Sequence, residues 1–70
     1  MPGTTYKLTK LVGESATGIE DAVQTALATS ASRVHGQTWA NLTDLRVNIG
    51  ENGKVELWQV EVEVAFKVDD

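Results

Sequence analysis

Few side chains in this 70-residue sequence could do chemistry: a lone imidazole, His35; two carboxylates two residues apart, Glu61 and Glu63; and an amide, Gln59, set beside Trp58 in an otherwise apolar run. Nucleophilic catalysis needs a hydroxyl within reach of a base that a third group orients. Ser15, Ser30 and Ser32 fall in an expected cap and helix, and His35 sits where that helix should end, so no triad is supported. His35 reads instead as a charge partner of the helix dipole. Glu61 and Glu63 share one strand face, which fits solvated carboxylates or a rim of intersubunit pairs. One His without any Cys cannot assemble a typical structural zinc site, and Gly13 and Gly18 make no phosphate-loop pattern. What remains is recognition. A Gln amide carries two donors and an acceptor on one plane, which suits a heterocycle edge alternating acceptor and donor. An indole such as Trp39 offers a broad apolar face for stacking, although a core or interface anchor is its commoner use.

The elements that must position these groups follow from periodicity. Thr5 to Val12, "TYKLTKLV", is β-branched and apolar with interleaved polar residues, a half-buried strand that should end at Gly13. "TGIE" reads as a capping box, Thr17 accepting from the backbone at Glu20 while the Glu20 carboxylate reaches back. Ile19, Ala22, Val23, Ala26, Leu27, Ala31 and Val34 then form one helical stripe, and Gly36 supplies a left-handed stop. From Trp39 to Ile49, Leu45, Val47 and Ile49 alternate with Asp44, Arg46 and Asn48, the pattern of a strand with one dry face. "ENGK" follows as a hairpin with Asn52 and Gly53 in a type I′ turn. That turn sets Arg46 opposite Gln59 and Asp44 opposite Glu61, on the face away from the helix. Strict alternation gives Trp39 the parity of Leu45 and Val47, hence the helix face, unless a bulge or twist near Ala40 turns it toward Gln59; otherwise a shared site takes Gln59 and Trp39 from different subunits or edges.

The bulk numbers constrain the class. A chain of this length makes one domain, over residues 1–70, and buries little apolar surface for its size. Without disulfides or a metal, self-association is the expected supplement. Six Lys and Arg against ten Asp and Glu give a net charge of −4, which argues against nucleic acid and anionic membranes as partners. The first ten residues lack a signal-peptide core and no run is long enough to span a bilayer, so a soluble cytoplasmic protein is expected. Lengths add one more step. A helix from Gly18 to His35 spans roughly 27 Å and a strand from Val55 to Val68 roughly 46 Å. One helix cannot cover that sheet, and the end around Val64, Phe66 and Val68 should stay exposed as an association surface.

Taken together, "TYKLTKLVG", "EDAVQTAL", "TWANLTDLRVNIG" and "LWQVEVEVAFKV" resemble the dodecin family of small flavin-binding proteins, from Tyr6 to Val68. The resemblance implies an α+β fold: a β-α-β-β subunit whose three-stranded antiparallel sheet wraps partly around one helix, with twelve copies in a hollow homo-oligomer. It implies stacked flavins near symmetry axes, between tryptophans of different subunits, with Trp39 as the stacking residue and Gln59 pairing with the flavin's pyrimidine edge. By analogy, Asp44 and Arg46 would meet the ribityl chain or anionic groups. Two positions depart from many bacterial members: Ala40 stands where Phe is common, and Lys67 where Arg is common. Lys lacks the bidentate fork of Arg. Which flavin is bound, FMN, riboflavin or lumichrome, therefore stays open, as does a coenzyme A site. The expected role is non-enzymatic flavin storage and sequestration; the alternative is a structural or interaction module that self-assembles without a small-molecule ligand.

Overall fold

The apolar side chains of the last strand organise everything around them. In the computed structural model, which describes residues 3–68, the elements run β1 (Thr5–Ser15), α1 (Ile19–Ala31), β2 (Gln37–Ile49) and β3 (Val55–Val68). The sheet order is β1-β3-β2, with β3 in the middle and antiparallel to both neighbours. The architecture is the expected three-stranded antiparallel sheet with one helix. On one face of β3, Val60, Val62 and Val64 are fully buried and Phe66 nearly so. Burying each valine stabilises by about 1.5–3 kcal/mol. Ala22 and Ala26 of α1 meet this row, flanked by Ile19, Val23 and Leu27.

Small residues set the helix against the sheet. At Gly13, which pairs with Val60, an added Cβ would collide with the Ala22 carbonyl oxygen and stand 2.9 Å from Ala26 Cβ. Gly13 therefore does not end the strand as its sequence context suggests. It continues β1 to Ser15 in extended form and creates the space that α1 fills.

The helix is shorter than its apolar stripe. Its N-cap is the extended Gly18, and no side chain caps it. The expected Thr17 box is absent because the last residue of β1 replaces it. Ser15 Oγ accepts from the Thr17 and Gly18 amides at 2.9 and 3.4 Å and donates to Asp21 Oδ2 at 2.6 Å. At the other end, the Ser32 hydroxyl donates to the Thr29 carbonyl at 2.7 Å, a local bond that competes with helical pairing. The helix stops at Ala31, and His35 lies in the connection beyond it, too far along to serve the helix dipole. Gly36 has a positive φ of 86° as expected, but it serves the start of β2: its carbonyl accepts from the Lys67 amide at 2.9 Å.

The hairpin also differs in detail. Among the described residues only Gly36 and Gly53 have positive φ, so Asn52 does not adopt the type I′ conformation. Gly53 N–H donates to the Gly50 carbonyl at 3.0 Å, and Gly50 N–H donates to the Lys54 carbonyl at 2.8 Å, which makes a longer loop ending in a left-handed glycine. A register shift where Asn48 pairs with Leu57 and Ile49 with Val55 leaves Glu56 as the extra residue. That bulge compensates for the longer loop, so Arg46 still faces Gln59 and Asp44 still faces Glu61.

The uncovered apolar surface is elsewhere than predicted. Val64 and Phe66 are buried, and only Val68 of that trio is exposed. α1 packs on β1 and β3 and touches β2 near its start, where Gln37 Nε2 donates to the Leu27 carbonyl at 3.3 Å, so the rest of β2 is left largely bare. Leu42 and Leu45, opposite Val62 and Val60, keep 56% and 47% of their surface exposed, and Ile49 keeps 70%. The gap is lateral, set by strand order, rather than at the end of β3. Replacing Gly13 by Ala should lower stability by about 1–3 kcal/mol, since the clash is with backbone rather than with a movable side chain. Thermal unfolding would show this as a melting point lower by several degrees; an unchanged melting point would mean that the helix stands further from the strand.

Candidate functional site

The sheet face away from α1 gathers the residues that could recognise a ligand. Across its three strands the rungs read Tyr6 with Lys67; Leu8 with Ala65 and Trp39; Lys10 with Glu63 and Asn41; Val12 with Glu61 and Asp44; and Glu14 with Gln59 and Arg46. Trp39 is on this face, not on the helix face where strict alternation put it. The cause is a pair of bulges. Between Leu42 and Asp44 the register slips by one, so Thr43 is inserted, and between Gln37 and Trp39 it slips again at Thr38. Residues 39–42 therefore run out of phase with the strand on either side, which turns Trp39 and Asn41 outward and Ala40 and Leu42 inward. Thr43 pins its bulge, with its Oγ1 2.8 Å from Glu61 Oε2 and 3.3 Å from the Glu61 carbonyl.

Trp39 is 44% exposed, and its ring meets Tyr6 at a centroid distance of 4.7 Å and an angle of 57°. That tilt is within the favoured range for aromatic pairs. Directly opposite Trp39, Ala65 is fully buried although it lies on the open face, because Leu8, Tyr6 and Trp39 flank it. A small floor beneath a half-exposed indole leaves the outer ring face open.

At the other end of the face lies a polar ladder. Arg46 Nη1 donates to Asp44 Oδ2 at 3.2 Å, and Arg46 Nε donates to Gln59 Oε1 at 3.0 Å. Gln59 Nε2 in turn donates to Glu14 Oε2 at 2.6 Å. Three of the four sequence-predicted residues, Asp44, Arg46 and Gln59, are thus joined directly. The Arg46–Asp44 pair is about half exposed on both sides and adds at most about 1 kcal/mol, so its value is in orientation rather than stability. Glu61 sits partly exposed 3.9 Å from Lys10 Nζ, an ion pair within the chain.

Trp39 and Gln59 share the face but not a location. Their rungs are six residues apart along β3, roughly 20 Å at 3.3 Å per residue. A single ring system cannot touch both in one chain. Trp58 lies on the helix side between Ser15 and Val47, partly buried, consistent with packing. His35 lines a groove of about 590 Å³ between β1 and α1 together with Lys7, Arg33 and Lys67. Among the described residues no group of three or more His, Cys, Asp or Glu could hold a metal, and no helix is long and apolar enough to cross a membrane.

Tyr6, Glu14 and Ala65 were not singled out from sequence. Their alternation was legible, but β1 joins the sheet without a hairpin, so nothing local set its register against β3.

The fold belongs to a known family of small proteins. The dodecin family model matches residues 5–69. The chain is 38% identical over 68 residues to the dodecin of Thermus thermophilus, covering 97% of each sequence. A Thermus thermophilus crystal structure at 38% identity aligns with a TM-score of 0.91 over 97% of this chain and 98% of that one. The dodecin of Streptomyces coelicolor, at 30% identity, aligns with a TM-score of 0.92 over 100% of this chain and 99% of its own. The chain belongs to the dodecin family.

Because Thr43 is the extra residue, deleting it should restore regular alternation while leaving Leu42 opposite Val62 and Trp39 opposite Ala65. In a Trp58→Phe background, where Trp39 is the remaining indole, the deletion should therefore retain the near-ultraviolet dichroism of the Tyr6–Trp39 pair. Loss of that signal from a folded deletion variant would contradict the assignment of Thr43 as the inserted residue.

Proposed function

We propose that the protein binds flavin and stores it without reacting with it, inside a symmetric assembly of its own copies. The observation that carries this reading is the arrangement of Trp39 and Gln59: one face, two stations about 20 Å apart, each open outward. A second copy related by symmetry would bring its own Gln59 to the first copy's Trp39, and a second indole opposite the first, at no cost in sequence. An electron-rich indole against the electron-poor isoalloxazine gains dispersion and electrostatic attraction. The Gln59 amide would pair with the pyrimidine edge, and Arg46, beside Asp44, would meet the polar side chain of the flavin.

Family membership supports a dodecamer, and so does the surface. Leu42, Leu45 and Ile49 are exposed apolar residues on one strand, and β1 and β2 are both edge strands with free backbone groups. On this reading the protein works in the cytoplasm as a buffer of free riboflavin or FMN. Close indole contact would quench the excited flavin by electron transfer and limit its photochemistry.

Fluorescence titration of riboflavin and FMN with flavin-stripped protein tests the site. Saturable quenching is expected, weakened at least tenfold, about 1.4 kcal/mol, by Trp39→Ala with the assembled mass unchanged. No quenching by the wild type would leave a self-assembling structural module as the better description. Sedimentation of Leu45→Glu tests the assembly separately: a shift to smaller species is expected, and full-size particles would remove the bare face of β2 from the contact.

A further inference from the structure

Gln59 is held from both sides, and the chemistry of its holders is one-way. A guanidinium can only donate and a carboxylate only accept, whereas an amide does either according to how it is turned. Arg46 reaches Gln59 Oε1 from β2, and Gln59 Nε2 reaches Glu14 from β1, on one rung of the sheet. Turning the amide over would set its NH₂ against the guanidinium and its oxygen against the carboxylate, two repulsions in place of two charge-assisted bonds. Arg46 alone would hold the oxygen but let the amide swing about that single bond. Glu14 is the second anchor that fixes the plane. Each lateral partner uses one lone pair or one hydrogen, so one lone pair and one hydrogen remain on the distal edge of the amide. Polarisation along the chain from Glu14 through Gln59 also makes Oε1 a better acceptor.

We propose that Glu14 is a positioning residue that makes Gln59 a directional reader. With Nε2 held on the β1 side and Oε1 on the β2 side, the free edge takes a cyclic imide or lactam whose carbonyl oxygen lies toward β1 and whose N–H lies toward β2. The inference rests on the flavin reading above and deepens it, because the pyrimidine edge of a flavin carries such a pair, the N3–H beside a ring carbonyl. Glu14 is exposed and off the core, so truncating it leaves the packing intact.

The test compares riboflavin with N3-methylriboflavin, which keeps the stacking ring but lacks the N–H, against wild type, Glu14→Ala and Glu14→Gln. The wild type should prefer riboflavin by tenfold or more. Glu14→Ala should weaken riboflavin binding about five- to tenfold while changing the N3-methyl compound less than twofold, so that the preference collapses. Glu14→Gln, whose amide oxygen can still accept from Nε2, should keep most of it. Equal losses for both ligands in Glu14→Ala would mark a merely structural effect, and no loss would mark no role; either overturns the proposal. So does a collapse in Glu14→Gln as complete as in Glu14→Ala, which would assign the effect to charge. Binding of neither flavin by the wild type would instead overturn the flavin reading itself, and this inference with it.

Discussion

The outer face of this protein depends on a departure from the two-residue period of a β-strand. Alternation divides β3 cleanly: Val60, Val62, Val64 and Phe66 to the helix, and Gln59, Glu61, Glu63 and Ala65 to the other side. β2 follows the same rule from Asp44 to Asn48 and then breaks it twice, at Thr43 and Thr38. Were Thr43 paired in register instead of bulged, the indole of Trp39 would compete for the core and Leu42 would face outward. The bulges cost some ladder hydrogen bonding, and in return a large aromatic residue stands on the outer face beside Tyr6.

Two kinds of interaction share the work on the two sides of β3. Inside, close approach decides: Gly13, Ala22 and Ala26 let a short helix lie near the strand, and the valine row fills what is left. Outside, the contacts are exposed ion pairs and hydrogen bonds of small individual worth. Their importance is geometric. Asp44 orients Arg46, Arg46 and Glu14 orient Gln59, and Thr43 meets Glu61. The core gives the sheet its stability, and the ladder gives the sheet one surface chemistry rather than several.

Much of this was legible in the residues. The element order, the two faces of β3 and the pairing of Arg46 with Gln59 follow from alternation and from one glycine-containing turn. The pairing came out right by compensation, since the loop is longer than a two-residue turn and the Glu56 bulge restores the count. Phase breaks were the main thing hidden. A bulge at Thr43 has no sequence signature beyond a β-branched residue in a strand, and it moved Trp39 to the other side. The Thr17 capping box illustrates a second limit: the local motif was sound, but Ser15 at the end of the preceding strand already occupied the role. The third limit was non-local. Only the packing of α1 over β1 and β3 decides that Leu42 and Leu45, rather than Val64 and Phe66, stay uncovered.

The strand order has a consequence for how the chain is born. β1 and β2 do not pair with each other; each pairs only with β3, which follows both in sequence. As the chain leaves the ribosome, at about 5–20 residues per second, its first two strands and its helix emerge with no partner to complete a sheet. The valine row that would anchor them arrives last. The sheet therefore waits for β3: the β2–β3 hairpin closes locally, whereas β1 docks across the longest span of sequence. The strand that divides the two faces of the finished protein is also the one that starts its folding.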